Sequence, residues 1–457
     1  LDWLSILPPL VAIAVVLWKK EVILALLLSI VTSECLMLLK LGQQSVFLTP
    51  INTIERVVST ISNEGNARIL LFSLLVGALL AFMRDSGGVA AFVNKLASSG
   101  IAKTKRRAGG VTMFTGMVVF IESNLSVLTA GIMARGLFDK FKMSRARLAY
   151  VIDSTSAPVC ILILLNGWGA YILGLLSAYE LPGNPLIVLW STLPYNVYAW
   201  LTLLIVAYTI FADKVHGPMK EAEQKLERID TKVEIAAPTK ARFMLLPLGV
   251  MIFGMVGFML WTGNGDLTKG SGSQSVLYAT FLACIVGYAL IVLSKQTSHQ
   301  GAFKLGFSGM SELLPLVTIV MLSIGLGASL KVLGTGIFVS GLVGDYLPLV
   351  LVVPMLFVAG GIISFTTGTS WGTFAILIPI GMPLVQSLGL PPELVLAAIL
   401  GGGIFGDHCS PISDTTAVSS LAAGCDLLTH VKTQLPYALV TGAVTILAYI
   451  VLSIFMV

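Results

Sequence analysis

Hydrophobic and polar positions fall along this chain in long blocks rather than in the short alternations of a soluble fold. Apolar runs at about 4–18 and 21–41 are split by Lys19, Lys20 and Glu21. Residues 45–65 are mixed, with Asn52, Glu55, Arg56 and Glu64, and predict a surface loop carrying a short amphipathic helix. A span follows at about 67–83, and 84–109, with Arg84, Lys95, Lys103, Lys105, Arg106 and Arg107, belongs at an interface. Runs of roughly 18 apolar residues or more have the length of a membrane-crossing helix.

Two kinds of block break this pattern. Residues 110–138 are apolar on both sides of Ile121-Glu122-Ser123-Asn124-Leu125-Ser126. Each arm, at about 12–14 residues, is short for a crossing, which leaves an interrupted helix or a re-entrant hairpin. After the basic loop 139–147, the run 146–178 is broken at Asp153-Ser154-Thr155-Ser156-Ala157-Pro158, and a span at 187–212 closes the first half. Residues 213–241 form the longest polar stretch, a mixed-charge linker expected to be part helical. The order then recurs: spans at 242–261, 275–294 and 313–331, a hairpin-like run at 349–388 around Ser364-Phe365-Thr366-Thr367-Gly368-Thr369-Ser370-Trp371-Gly372-Thr373, a broken run at 393–423 and a last span at 434–457.

The recurrence predicts a duplication. Arg84 through Gly87 to Phe92 superimposes on Lys331 through Gly334 to Val339, and Glu122-Ser123 on Thr369-Ser370. Asp153 with Ala157-Pro158 falls near Asp407 with Ser410-Pro411, and Leu193-Pro194-Tyr195 matches Leu435-Pro436-Tyr437. With both interrupted runs read as hairpins, each half crosses five times and the second copy is inverted. Placing residue 1 outside then puts 23 of the 28 Lys and Arg residues inside, and only Lys40, Arg56, Arg68, Lys269 and Lys331 outside. That asymmetry is what the positive-inside rule asks for, and it decides the hairpin question. The predicted fold is an all-α polytopic membrane protein of two inverted repeats, 1–212 and 242–457, joined by a cytoplasmic linker at 213–241. Each repeat has five transmembrane helices plus a re-entrant hairpin, and both termini lie outside.

Composition sharpens this reading. Of 457 residues 56% are hydrophobic and only 11% charged, with a mean hydropathy of +0.93; soluble domains carry about 25% charged residues. The net charge of +5 sits in loops between spans, so topology accounts for it and nucleic acid is not implied. The five cysteines, Cys35, Cys160, Cys284, Cys409 and Cys425, are scattered through apolar runs without a disulfide or metal spacing. Asp2 precedes the first apolar run and no basic leader is present, so no cleavable signal peptide is expected.

The candidate chemistry lies in the breaks. Gly401-Gly402-Gly403-Ile404-Phe405-Gly406-Asp407-His408-Cys409-Ser410-Pro411-Ile412-Ser413-Asp414-Thr415-Thr416 sits inside one of the most apolar regions, and its four glycines and proline predict an unwound helix. An ionised Asp at bilayer depth costs about 2.5–3.5 kcal/mol, and irregular backbone survives there only inside protein or beside a watery cavity. Asp153 and Asp407, at matched positions, are the predicted Na+-binding and proton-binding carboxylates; the bland alternative is a helix cap. Glu122 and Asp414 are predicted to add charge or relay protons. Ser123, Asn124, Ser154, Thr155, Thr367, Ser370 and Ser410 are candidate oxygen donors or caps, and His408 a proton shuttle or a structural histidine. Glu34 also stands inside a span but has no repeat partner. No HExxH, Gly-x-Gly-Asp or GxxxxGK[ST] pattern occurs, which argues against an enzyme and against ATP as the energy source.

Gly406-Asp407-His408-Cys409-Ser410-Pro411-Ile412-Ser413-Asp414-Thr415-Thr416 resembles the signature of the NhaC-type sodium/proton antiporter family. Ser364 to Thr373 and Ser144-Arg145-Ala146-Arg147-Leu148-Ala149-Tyr150-Val151-Ile152-Asp153-Ser154-Thr155 are similar to other segments of that family. The resemblance implies a bacterial inner-membrane secondary transporter of the wider ion-transporter superfamily, with a hairpin-bearing transport domain, a scaffold domain, elevator-like movement and, in many members, homodimers. It implies no cofactor, with Na+ and H+ as transported ions and membrane lipid as surroundings. The first hairpin departs from the family: an Asp-Asn type pair is expected where Glu122-Ser123-Asn124 stands. Three functions follow from the sequence: exchange of Na+ (or Li+) for H+, ion-coupled carriage of a small organic acid or organic cation, and a passive channel.

Overall fold

A chain this apolar has to satisfy its backbone hydrogen bonds internally, and it does so as helices. The computed structural model describes residues 2–40, 46–98, 102–120, 123–164, 166–177, 179, 181, 184–227, 237–266 and 269–457. The helices are α1 (Leu7–Lys19), α2 (Val22–Lys40), α3 (Thr49–Ile61), α4 (Glu64–Asp85), α5 (Gly88–Ser98), α6 (Lys105–Val118), α7 (Ser123–Lys140), α8 (Arg145–Ser154), α9 (Ala157–Cys160), α10 (Gly167–Leu176), α11 (Pro185–Ser191) and α12 (Val197–Phe211). The linker contributes α13 (Pro218–Lys225). There follow α14 (Arg242–Thr262), α15 (Gly272–Leu293), α16 (His299–Leu333), α17 (Thr335–Tyr346), α18 (Val352–Thr367), α19 (Ser370–Leu388), α20 (Pro392–Cys409), α21 (Asp414–Ala423) and α22 (Leu427–Met456). No strand occurs among the described residues. Among the described residues, eight helices are long and apolar enough to cross a membrane, or up to ten if two bent pairs each count as one span.

Capping residues set where many of these helices begin. Asn63, Thr104, Ser144, Asn166, Ser298, Thr369, Ser413 and Asp426 each accept a backbone N–H of the first turn that follows them. The polar residues that punctuate the apolar runs are therefore helix starts as well as candidate ligands.

The two interrupted runs each fold back as a helix pair. Across the first tip, Ser126 Oγ donates to Gly116 O at 2.9 Å. The arms are longer than the sequence reading allowed: α7 has 18 residues and α19 has 19. By length and apolarity, Leu349–Thr367 and Ser370–Leu388 each qualify as spans. The matched Leu-Pro-Tyr segments also diverge. Leu193–Tyr195 forms a 3-10 turn between α11 and α12, bent by 42°, whereas Pro436 lies inside the continuous 30-residue α22.

The glycines of the 401–416 motif do not unwind the chain. α20 runs straight through Gly401, Gly402, Gly403 and Gly406 and ends only at Cys409. The reason is packing. A Cβ at Gly402 would strike the carbonyl oxygen of Phe357, and one at Gly406 that of Gly361. A Cβ at Gly360 would lie 3.2 Å from the backbone of Gly402 and Gly403. The seam lets α18 and α20 approach backbone to backbone, the small-residue packing that membrane helices favour. Phe357 and Phe405 stack beside it with centroids 5.4 Å apart. α4 and α16 cross in the same way at Gly77 and Gly309.

Charged groups tie the two halves together. Arg135 Nε donates to Ala422 O at 2.8 Å and Arg145 Nη1 to Ala423 O at 2.7 Å, satisfying carbonyls at the end of α21 from α7 and α8. Arg147 binds Asp213 and Glu223 at 3.0 and 2.8 Å, which clamps the linker helix α13 onto α8. Glu34 is buried and structural: it pairs with Arg56 at 2.6 Å and accepts from Ser329 Oγ at 2.8 Å, joining α2, α3 and α16.

Candidate functional site

Two helices stop in the middle of the fold and restart. α8 ends at Ser154 and the chain resumes as α9. α20 ends at Cys409, and residues 410–413 lead with a 49° bend into α21, which Ser413 caps. Asp153 and Asp407 both stand in the last turn before their break. A helix C-terminus presents unsatisfied carbonyls and partial negative charge, so a carboxylate there cannot be an N-cap, and the place favours a cation.

Both carboxylates are fully buried, at 0% and 1% exposure. Gln434 Nε2 donates to Asp153 Oδ2 at 2.7 Å and to the carbonyl of His408 at 2.9 Å. His430 Nε2 lies 3.3 Å from the same Asp153 oxygen. Ser370 Oγ, at the second hairpin tip, donates to Asp407 Oδ2 at 3.2 Å. Asp153 and Asp407 thus belong to one polar network, linked through Gln434 and the backbone at His408. Each has one buried oxygen, Oδ1, without a hydrogen-bond partner, as do Gln434 Oε1, Ser154 Oγ and Ser364 Oγ. Buried acceptors normally find partners.

The hairpin tips are tethered to the breaks. Ser156 Oγ donates to Ser123 O at 3.0 Å, and Asn166 Nδ2 to Phe120 O at 2.9 Å. Ser410 Oγ donates to Phe365 O at 2.7 Å. Not every candidate joins the network. Thr155 Oγ1 bonds back to Val151 O at 2.7 Å and packs against Gly116, and Thr367 Oγ1 bonds back to Ile363 O at 2.9 Å. His408 meets the hydroxyl of Tyr198 through Nδ1 at 3.1 Å. Glu122 lies outside the described residues.

Asp414 stands at the first turn of α21, beside this network. It is exposed, accepts Thr415 N at 2.9 Å and is hydrogen-bonded by the Asn124 side chain. It opens into a cavity of about 300 Å³ where both hairpin tips, through Asn124 and Thr369, face α4 and α16. Trp168 and Trp371 also line it.

Sequence reasoning passed over His430, Gln434, Tyr198 and the two tryptophans. A signal existed for the first two: four residues apart, they mark one inward face of α22, where neutral polar groups interrupt an apolar helix. Tyr198 and the tryptophans carried none, because aromatic residues in apolar runs read as packing.

Compared with known proteins, residues 159–454 match the sequence profile of the Na+/H+ antiporter family. An uncharacterized protein of Haemophilus influenzae is 32% identical over 98% of this chain and 90% of its own length. A malate-2H+/Na+-lactate antiporter of Bacillus subtilis is 37% identical over 92 residues, 20% of each chain. The solved YdaH transporter of Alcanivorax borkumensis superposes with a TM-score of 0.62 at 14% identity, covering 88% of both chains, so the two share a fold.

Proposed function

Because the chain belongs to the Na+/H+ antiporter family, we propose that it exchanges Na+, or Li+ in its place, for H+ across a bacterial inner membrane by alternating access. Membership makes it a multi-pass membrane protein and a secondary transporter; the ions, the residues and the mechanism are our reading.

The observation that carries this reading is the pair of buried aspartates at two helix C-termini, in one network, each with an oxygen left without a partner. A dehydrated Na+ is held by such carboxylate and carbonyl oxygens at interrupted helices. A proton on the same carboxylate satisfies the site without the ion. Since the two cannot share one oxygen, loading one expels the other, and that competition couples their fluxes. His430 and Gln434 orient Asp153, and Ser370 carries the state of Asp407 to the hairpin tip. Glu122 and Asp414 adjust the local charge. The recurring order of helix pair and broken helix supports two inverted repeats, 1–212 and 242–457, with 213–241 on the cytoplasmic side and both termini outside.

The relative named for malate, lactate, Na+ and H+ favours a second reading, in which these ions are coupled to a small organic solute.

The test uses purified protein in liposomes with an internal pH-sensitive dye. Na+ should cause a proton flux that Asp153→Asn and Asp407→Asn each abolish. Full exchange in both variants would overturn the assignment.

A further inference from the structure

The cavity at the hairpin tips does not suit Na+. At about 300 Å³ it reaches the size range of organic-ligand pockets. Val76, Leu80, Leu313, Leu316 and Ile319 give it an apolar wall. Opposite stands a fixed aromatic wall: Trp371 lies 4.7 Å from Trp168 and 4.7 Å from Tyr171 between ring centroids, and the Tyr171 hydroxyl donates to Trp371 O at 2.6 Å. An inorganic ion gains little from indole faces and aliphatic side chains.

Its charge is one-sided. Asp414 opens into it, and Glu312 stands at its rim. No Lys or Arg is among the described lining residues. Glu312 is paired with Arg84, whose two terminal nitrogens both donate to it at 2.8 Å while Nε donates to Asp85 at 2.8 Å. That triad holds two carboxylates for one guanidinium. An organic anion would meet Asp414 with no cationic group to receive it.

We propose that this cavity binds a small organic cation, bearing an ammonium or guanidinium group, as cargo. The charge sits between the Asp414 carboxylate and the face of Trp371, with Asn124 and Thr369 as hydrogen-bonding neighbours, and the apolar body lies on α4 and α16. Indole faces attract such cations through the ring quadrupole. Because both hairpin tips and both facing helices close around the cavity, a bound cation bridges the parts that alternating access moves apart. The inference takes from the proposed function only that the chain is an exchanger.

The experiment measures thermal stabilisation of the purified protein, and counterflow in liposomes, with agmatine, lysine and choline against a neutral alcohol of similar size and against malate. At least one cation should stabilise the protein and drive counterflow; the alcohol and malate should do neither. Trp371→Leu should weaken cation binding tenfold or more without changing Na+-dependent proton movement, and Trp371→Phe should restore most of it, which loss of packing alone would not predict. Asp414→Asn should abolish cation binding. Stabilisation by malate, or no response to any cation in protein that still exchanges Na+ for H+, overturns this inference and leaves the proposed function standing. Cation counterflow in protein that shows no Na+ response does the reverse. Loss of both overturns both.

Discussion

At the scale of residues, neutral polar groups surround two buried carboxyl groups. Gln434 donates to the Asp153 carboxylate and to the carbonyl of His408, so one amide joins the two broken helices. Hydrogen bonds to charged groups contribute about 1.5–3 kcal/mol. Gln434→Leu is therefore expected to lower stability by about that amount and to slow exchange, measured by thermal unfolding in detergent and by the dye assay in liposomes. The carboxylates were readable in the chain because an ionisable residue in an apolar run is conspicuous. Their partners were not. No spacing encodes them: the Asp153–Gln434 contact spans 281 positions. Glu34 stood unexplained inside its span for the same reason, since its partners Arg56 and Ser329 emerge only in the fold.

At the scale of elements, the glycine run shows how one residue type supports two opposite readings. Glycine lowers helix propensity by about 1 kcal/mol relative to Ala, which predicts a break, but it also permits backbone contact, which is what α20 uses against α18. The break comes at Ser410-Pro411, where proline removes a donor. Gly402→Ala, whose methyl group would meet the Phe357 carbonyl, should destabilise the protein by about 1–3 kcal/mol through overpacking. Gly401→Ala is the control: its nearest neighbour is 3.4 Å away, at Tyr198 Cβ, and little change is expected. Thermal melts followed by size-exclusion chromatography would separate the two. The helix pairs on either side of Glu122 and Gly368 were legible from their polar tips. Their arm lengths were not: α7 runs on through Asp139 to Lys140, past the end of the apolar run.

At the scale of the whole molecule, the two halves interlock rather than standing side by side. α7 and α8 hold the end of α21, and the linker helix α13 is clamped to α8 through Glu223 and Arg147. The proposed topology puts that linker inside and the C-terminus outside. In a cysteine-free background, Gln224→Cys should resist a membrane-impermeant maleimide in intact cells, and Val457→Cys should react; both positions are exposed on the protein itself. The reverse labelling pattern would refute the orientation.

Local chain chemistry alone determined that this is a helical membrane protein, where its helices are interrupted, and that Asp153, Asp407 and Asp414 lie at those interruptions, because apolarity, helix breakers and charge are properties of neighbouring residues. Which of these groups share a network was decided only by packing. Asp153 and Asp407 entered one cluster with His430 and Gln434, while Asp414, seven residues beyond Asp407, also lines an aromatic cavity. The direction a side chain takes after a bend depends on the helices it meets, and those come from the far end of the chain.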